Sequence, residues 1–167
     1  STAIHLAIHP SSPYSSCLLN QHNTSENDAR TNYYGIYGAT PRLVIQGTVI
    51  SPNANYSSAA IFTPFLSELS PVQLIVNQQK FGNDSIRSQV IVKTVSAHSL
   101  SAASLFIALA EDTLMFAAPN GESMHFDIFR KAISPTTGIS LNVPSTLGDS
   151  LVYTFTTSAN ASWNLER

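Results

Sequence analysis

Residues 71–95 read PVQLIVNQQKFGNDSIRSQVIVKTV and carry the clearest structural pattern of this 167-residue chain. Val72, Leu74 and Val76 lie at alternate positions, which predicts a β-strand. Gly82-Asn83-Asp84 follows, and a cluster of such residues between two periodic runs predicts a turn. A second β-type run comes after the turn. This stretch therefore predicts two consecutive strands joined by a short connection.

The same texture continues toward the C-terminus. Asn120-Gly121 is the dipeptide that most strongly favours a hairpin, and it separates two further β-type runs. Other β-type runs lie at 105–109, 138–143 and 151–157. Six or seven short strands at regular spacing are typical of an antiparallel sandwich. We therefore expect residues 70–167 to form a β-sandwich domain.

Residues 1–69 have a different texture and are predicted to form a separate domain. The predicted elements are a strand over Ala3–His9, a helix from Asn23 or Thr24 to Gly35 or Gly38, a hairpin of Thr40–Gly47 and Thr48–Ser51, and a helix over Ser57–Leu69 with Pro64 near its first turn. The mixture of strands and helices before the sandwich predicts an α+β chain with a boundary near residue 70.

The composition indicates an exported protein. Only 11% of the residues are charged, less than half the usual share of about 25%. The net charge is −2, with eight Lys and Arg scattered along the chain, which argues against nucleic acid as a partner because phosphate binding needs clustered cations. No apolar run approaches the ~20 residues of a membrane span. We expect an extracellular, cell-surface or periplasmic location without a transmembrane segment.

The single cysteine, Cys17, excludes an internal disulfide and a Cys-x-x-Cys redox pair within this chain. A cationic neighbour or a helix N-terminus can activate a thiol, and His22 and the predicted helix start at Asn23 are close to Cys17 in sequence. Cys17 is therefore a candidate reactive thiol. The alternative is a small, partly buried cysteine in a loop.

No catalytic residue, metal site or cofactor is predicted. The five histidines are spread along the chain, and His5 and His9 on a strand would be about 13 Å apart, too far to share one metal. Neither a Gly-x-Ser-x-Gly elbow nor a Gly-rich phosphate loop occurs. Glu111 and Asp112 are adjacent on a predicted strand, so they face opposite sides and cannot form an acid–base pair.

The predicted strand His125–Lys131 is expected to carry a polar, exposed face. His125, Asp127, Phe129 and Lys131 lie at alternate positions along it. Glu111 or Asp112 could pair with Arg130 or Lys131 across strands, and an exposed pair of this kind contributes under about 1 kcal/mol.

Three tyrosines, Tyr33, Tyr34 and Tyr37, precede Thr40-Pro41 and are the candidate binding residues together with that dipeptide. In a continuous helix Tyr33 and Tyr37 would share one face. The tyrosines either pack the end of the helix on the rest of the domain or form a contact surface for a peptide or a glycan beside Pro41.

The first domain resembles the second half of a thioredoxin-like domain. The matching residues are His9, Arg30, Tyr33, Tyr34, Gly35, Gly38, Thr40, Pro41 and Gly47. The resemblance implies an incomplete thioredoxin-like β-α-β-β-α unit over residues 1–69, with a cis Thr40-Pro41 peptide bond. The cysteine-bearing half of that fold has no counterpart here, so redox chemistry does not transfer. The resemblance then implies a fragment, a processed product or a divergent protein.

The following region resembles the Omp28-like outer-membrane and secreted proteins of Bacteroidetes, which join a thioredoxin-like domain to an immunoglobulin-like sandwich. The matching stretches are Leu105–Asp112, His125–Lys131 and Gly138. We therefore expect a non-enzymatic exported or surface module that binds protein partners or self-associates through open sheet edges. The alternatives are a thiol–disulfide oxidoreductase whose Cys-x-x-Cys lies upstream, and a glycan-binding sandwich.

Overall fold

The computed structural model describes residues 4–82, 84–160 and 162–165. The chain divides into two compact units, Ser1–Leu69 and Ser70–Arg167. Short helices lie near the N-terminus, and most of the remaining regular structure is antiparallel β-strand in several small open sheets. A mixed chain dominated by antiparallel strands is therefore confirmed.

In the described part of the first unit, two α-helices form, α1 (Leu18–Gln21) and α2 (Thr24–Tyr33). Asn23 caps α2, because its side chain accepts the N–H of Glu26 while its amide donates to the Glu26 carboxylate. The Asn23 side chain therefore satisfies one of the unpaired N–H groups at the start of the helix. Gly35, with φ +66°, lies just beyond the helix and allows the chain to turn away. The predicted helix is confirmed at both ends.

The strand predicted over Ala3–His9 is wrong. Ala3 lies outside the described residues. Within residues 4–9 no strand forms, and Ala7 makes a single isolated β-bridge. Buried asparagines replace a strand partner here: His9 N–H donates to Asn27 Oδ1 at 2.9 Å, and Asn20 Nδ2 donates to His9 O at 2.7 Å. These side chains satisfy both backbone groups of His9, so this residue does not need a strand partner.

The predicted hairpin is confirmed, with shorter strands than expected. Strands β1 (Val44–Ile45) and β2 (Thr48–Val49) pair antiparallel. Gln46 and Gly47 connect them, with φ of 47° and 83°. Two central residues with positive φ make the type I′ turn that matches the twist of a hairpin.

The helix predicted over Ser57–Leu69 is a 3-10 helix at Ala59–Phe65, and Pro64 lies in its last turn rather than its first. Pro64 has no N–H to donate to the preceding turn, which explains why the helix ends here. The cis Thr40-Pro41 bond is confirmed, and a second cis bond, Ser12-Pro13, was not predicted.

The second unit is built from seven strands in three antiparallel sheets. The strands are β3 (Val72–Phe81), β4 (Ser85–Thr94), β5 (Ala103–Leu105), β6 (Ala108–Met115), β7 (Met124–Ala132), β8 (Ile139–Leu141) and β9 (Ser150–Ser158). The sheet orders are β3-β4-β9, β5-β8 and β6-β7. The hairpin predicted around Asn120-Gly121 is confirmed, since Met115 pairs with Met124.

Strand β4 organises the core of this unit. It pairs with β3 on one side and with β9 on the other, and every even-numbered side chain from 86 to 94 is buried. Val90 and Val92 pack with Leu105 of β5 and Leu141 of β8. The apolar face of the three-stranded sheet therefore covers the β5-β8 pair, and the two sheets share one core.

The two-stranded sheet of β6 and β7 contains a buried ion pair. Arg130 Nε donates to Glu111 Oε2 at 2.7 Å, and Nη2 donates to the same oxygen. The predicted pairing of Glu111 with Arg130 is confirmed, but both side chains are buried rather than exposed. A bulge shifts the β6-β7 register after Leu109, and such a bulge re-aims side chains locally.

The expected polar face of β7 is wrong. Met124 and Phe126 are exposed, whereas His125 is half-buried and its Nε2 lies 3.0 Å from Phe116 O. Beyond Asp127, which has φ of 53°, three consecutive residues, 128–130, are buried. The irregular backbone breaks the simple alternation on which the prediction depended.

The C-terminal segment is held against the ion pair. Asn164 N–H donates to Glu111 Oε1 at 2.9 Å, and Asp112 N–H donates to Asn164 O at 2.8 Å. The Arg130 guanidinium lies 5.7 Å from the centre of the Trp163 ring. The second Glu111 oxygen and one face of Arg130 therefore have partners, which a buried charge requires.

Replacing Glu111 with Ala should lower the free energy of unfolding by roughly 3–5 kcal/mol, because it leaves the Arg130 charge buried without its partner. Urea unfolding of the full chain measures the change. Glu122→Gln is the control, since the Glu122 side chain is 65% exposed, and it should stay within about 0.5 kcal/mol of the parent. Equal effects of the two substitutions would contradict a buried pair.

Gly138 and Gly148 provide a matched test of the β5-β8 packing. Both have φ near +85°, at 82° and 90°, but a Cβ at Gly138 would lie 2.9 Å from Phe106 Cζ, whereas at Gly148 it would meet nothing. Each Gly→Ala change incurs a left-handed backbone cost of about 1–2 kcal/mol. Gly138→Ala should lower the thermal midpoint further than Gly148→Ala; equal shifts would exclude the clash.

Candidate functional site

Two of the predicted binding tyrosines lie together around an arginine. The rings of Tyr33 and Tyr34 are edge-to-face with centroids 5.1 Å apart. The Arg30 guanidinium lies 5.1 Å from the Tyr33 centroid and 4.8 Å from the Tyr34 centroid. Arg30 Nη2 also donates to the Tyr34 hydroxyl at 2.7 Å. These contacts, including two cation–π interactions, connect the end of α2 to its own cap residue.

Tyr37 belongs to a different contact. Helix α2 ends at Tyr33, so the expected shared helical face of Tyr33 and Tyr37 is wrong. The Tyr37 hydroxyl lies 2.9 Å from Ser11 Oγ, which donates to Asp28 Oδ2 at 2.6 Å. Ser11 N–H donates to the other oxygen of that carboxylate. Tyr37 therefore helps to hold the loop after His9 against α2.

Thr40 and Pro41 are both exposed. Tyr33 is 53% exposed and Tyr37 42% exposed, so these four residues present surface. The structure brings Tyr33 and Tyr34 together, whereas the Tyr37 hydroxyl is engaged with Ser11. The hydroxyl groups of Tyr34 and Tyr37 thus each make one internal hydrogen bond, with Arg30 and Ser11.

Cys17 lies at the start of α1, a four-residue helix that the sequence did not predict. Its N–H donates to Tyr14 O, and its carbonyl accepts from Asn20 and Gln21. The thiol is unpaired and half-buried. The residue therefore has a clear structural role as a helix cap.

Metal ligands do not assemble in the described part of the chain, where no three His, Cys, Asp or Glu side chains lie close enough to hold an ion.

The outer edge of β3 is the largest unpaired feature of the second unit. Strand β3 is the end strand of its sheet and has ten residues in continuous register with β4. Between residues 4 and 165, leaving out 83 and 161, no strand pairs with its other side. Such an edge presents a row of backbone donors and acceptors to a further strand.

The direction of the backbone groups follows from the register. Val95 N–H donates to Pro71 O at 2.9 Å, so the odd-numbered residues of β3 bond to β4. The even-numbered residues therefore turn their N–H and C=O groups outward. Ser70 Oγ satisfies both outward groups of Val72. The outward groups of four residues remain for another chain or for water: Leu74, Val76, Gln78 and Lys80.

The side chains of β3 are exposed on both faces. Leu74 and Val76 share the face of the buried Val92 and Val90, with which they pair, but are 56% and 63% exposed. Ile75 on the opposite face is 36% exposed. The strand is confirmed. Val72 packs on the core, whereas the core face at Leu74 and Val76 is open.

Strand β9 forms the other edge of the same sheet and differs from β3. Its inner row, Leu151, Tyr153 and Phe155, packs on the core. Val152 on its outer face is 56% exposed. The β9 edge therefore offers backbone groups with one covered face, whereas the β3 edge offers backbone groups with two open faces.

Comparison of the chain with protein-family models, with curated proteins and with solved structures finds no match. The helices in the described ranges are all too short or too polar to cross a bilayer.

One signal in the sequence points to the β3 edge. Leu74-Ile75-Val76 are three consecutive apolar residues, and successive residues of a strand face opposite sides. The triad therefore places apolar side chains on both faces. The alternation of Val72, Leu74 and Val76 identifies only one apolar face of the strand. Whether that face is buried depends on which other elements cover it.

Hydrogen exchange tests the assigned backbone directions. In dilute protein the outward amides of Leu74, Val76 and Gln78 should exchange at least about tenfold faster than those of Ile75 and Asn77, which bond to β4. Mass spectrometry with single-residue fragmentation measures the rates. The corresponding alternation in β4 should be absent, because both of its edges are paired. Uniform rates along β3 would contradict the register.

Proposed function

We propose that this chain is a non-enzymatic protein-binding module of an exported or cell-surface protein. It binds by adding an extended strand of another polypeptide to the outer edge of β3. The observation that carries this proposal is a ten-residue edge strand with open backbone groups and apolar side chains on both faces.

Strand addition accounts for both properties of the edge. Main-chain hydrogen bonds supply affinity for an extended segment, and the side chains at alternate positions supply specificity. The outward groups of Leu74, Val76 and Gln78 provide three consecutive docking positions. The exposed side chains of Leu74 and Val76 then become partly covered by the added strand, which removes apolar surface from water.

The edge lacks the features that commonly prevent pairing. Natural proteins protect edge strands with short length, proline, bulges or central charges. Strand β3 has a continuous ten-residue register and contains neither proline nor an internal bulge. Its one charged residue, Lys80, lies near the end. A sequence selected to stay unpaired would be expected to carry at least one of these features at its centre.

The proposal extends to architecture and setting. Three antiparallel sheets, two of which share a core, support an immunoglobulin-like sandwich for residues 70–167. We propose in addition that residues 1–69 are a divergent thioredoxin-like unit and that the chain is Omp28-like. The capped helix and the hairpin fit this proposal, whereas the first strand of the expected β-α-β-β-α unit does not form in the described residues. The 11% share of charged residues supports an exported location.

The β3 edge is favoured over the tyrosine surface for a specific reason. The hydroxyl groups of Tyr34 and Tyr37 already make internal hydrogen bonds with Arg30 and Ser11. The outward backbone groups of Leu74, Val76 and Gln78 have no strand partner among the described residues, and they lie in a continuous row that matches an extended polypeptide. Strand addition is therefore preferred to the glycan-binding and oxidoreductase alternatives.

A labelled, end-capped peptide of sequence VQLIVNQQKF, residues 72–81, should bind the dilute full chain with an affinity of roughly 1–100 µM. Fluorescence anisotropy measures binding, and exchange protection of the Leu74 and Val76 amides locates it. Val76→Pro should abolish binding, because it removes an outward N–H while leaving the β4 ladder intact.

Val152→Pro is the matched control. The even-numbered residues of β9 point away from β4, since Thr94 N–H donates to Asp149 O, so this change removes one outward N–H from the other edge of the same sheet. It should leave peptide binding unchanged. Val76→Lys serves as a second variant should Val76→Pro lower the unfolding midpoint. Binding that is lost in Val152→Pro and kept in Val76→Pro, or no binding at all, overturns the proposal.

A further inference from the structure

We propose that the polypeptide that pairs with β3 is the β3 strand of a second copy of this chain, antiparallel, with the two-fold axis at Ile75. This inference rests on the proposed strand addition and names its partner. It follows from the pattern of side chains along the edge, which is complementary to itself.

The apolar triad defines the register. Antiparallel pairing about Ile75 places Leu74 opposite Val76 of the second copy and Ile75 opposite itself, so all three apolar positions match. Moving the axis to Val76 places Leu74 opposite Gln78 and Ile75 opposite Asn77. Moving it to Leu74 places Ile75 opposite Gln73 and limits pairing within β3 to residues 72–76. Apolar pattern sets register in a sheet, so the axis at Ile75 is favoured.

The same register joins the core faces of the two copies. Within one copy Val76 pairs with Val90, and Leu74 pairs with Val92. Across the axis Val76 lies opposite Leu74 of the second copy. A single apolar row then runs from Val90 through Val76 to Leu74 and Val92 of the second copy. Cross-strand apolar pairs of this kind are the unit of sheet stabilisation.

Charge does not oppose the pairing. Lys80 is the one charged residue of β3, and in this register it lies opposite Ser70 of the second copy. The two Lys80 residues are then ten strand positions apart, or about 33 Å, well beyond the screening length at physiological salt. The net charge of −2 per chain adds little long-range repulsion.

The symmetric arrangement also closes. Pairing β3 with β3 about a two-fold axis uses one edge of each copy and stops at two chains, whereas pairing β3 with β9 of the next copy would continue into a filament. The inner row of β9 is already packed on its own core, so β9 contributes less newly covered apolar surface. The dimer is therefore favoured over the filament.

Disulfide trapping tests the register. In a Cys17→Ser background, Gln73→Cys and Asn77→Cys chains are mixed and mildly oxidised. Residues 73 and 77 face each other across the axis as a non-hydrogen-bonded pair, with Cα atoms about 4.5 Å apart, within the range for a disulfide. The disulfide between residue 73 of one chain and residue 77 of the other should form. Ile75 is not substituted in this experiment. Ile75→Cys alone should form a disulfide with itself.

Asn77→Cys alone is the matched negative control, because two copies of residue 77 would be about 13 Å apart in this register, too far for a disulfide. Sedimentation velocity of the unmodified chain from about 10 to 500 µM should show a monomer–dimer equilibrium. Val76→Pro should abolish the dimer and Val152→Pro should not.

The outcomes separate this inference from the proposed function. A chain that stays monomeric throughout, yet binds the peptide of residues 72–81 at the β3 edge, overturns the second copy and leaves strand addition in place. A chain that is monomeric and binds no peptide overturns both. Strong self-disulfides of Asn77→Cys overturn the register, and oligomers beyond two copies that Val152→Pro abolishes overturn the two-fold pairing.

Discussion

The second unit depends on the burial and pairing of β4. Its even-numbered side chains fill the core, while its odd-numbered backbone groups bond to β3 and its even-numbered groups bond to β9. Shifting β4 by one residue would expose Val90 and Val92 and bury Arg87 and Lys93, which the core cannot accommodate. Because β4 is fixed in this way, the register of both edge strands and the direction of their outward groups are fixed too.

A buried ion pair connects the other sheet to the C-terminal segment. Removing Glu111 and Arg130 from water is costly, and attraction between them offsets that cost only when the remaining lone pairs and donors are satisfied. Asn164 satisfies one Glu111 oxygen, and Trp163 covers Arg130. The position of the last described residues is thus set by the needs of two charges on β6 and β7, rather than by a strand partner of their own.

The candidate binding edge and the tyrosine surface illustrate two kinds of exposure. Tyr34 and Tyr37 are partly exposed, yet their hydroxyl groups are engaged within the first unit. At the β3 edge, backbone groups and apolar side chains at Leu74 and Val76 are open together. A partner strand can satisfy the backbone groups and cover the apolar side chains at once. For this reason the β3 edge, rather than the tyrosine surface, is the proposed binding site.

Local chemistry allowed the sequence alone to predict the α2 boundaries, a hairpin within residues 40–51 and the strands around Asn120-Gly121, because caps and turns depend on a few neighbouring residues. The type I′ turn at Gln46-Gly47 was seen only in the structure. Burial could not be predicted in this way. Residues 3–9 were expected to form a strand, but the His9 backbone bonds to the side chains of Asn20 and Asn27, which are distant in sequence. The ion pair of Glu111 with Arg130 lies near a β-bulge, and Asn164 of the C-terminal segment bonds to it. The open face of β3 likewise depends on which elements reach it. Side-chain alternation states which residues share a face, whereas only the tertiary structure decides what covers that face.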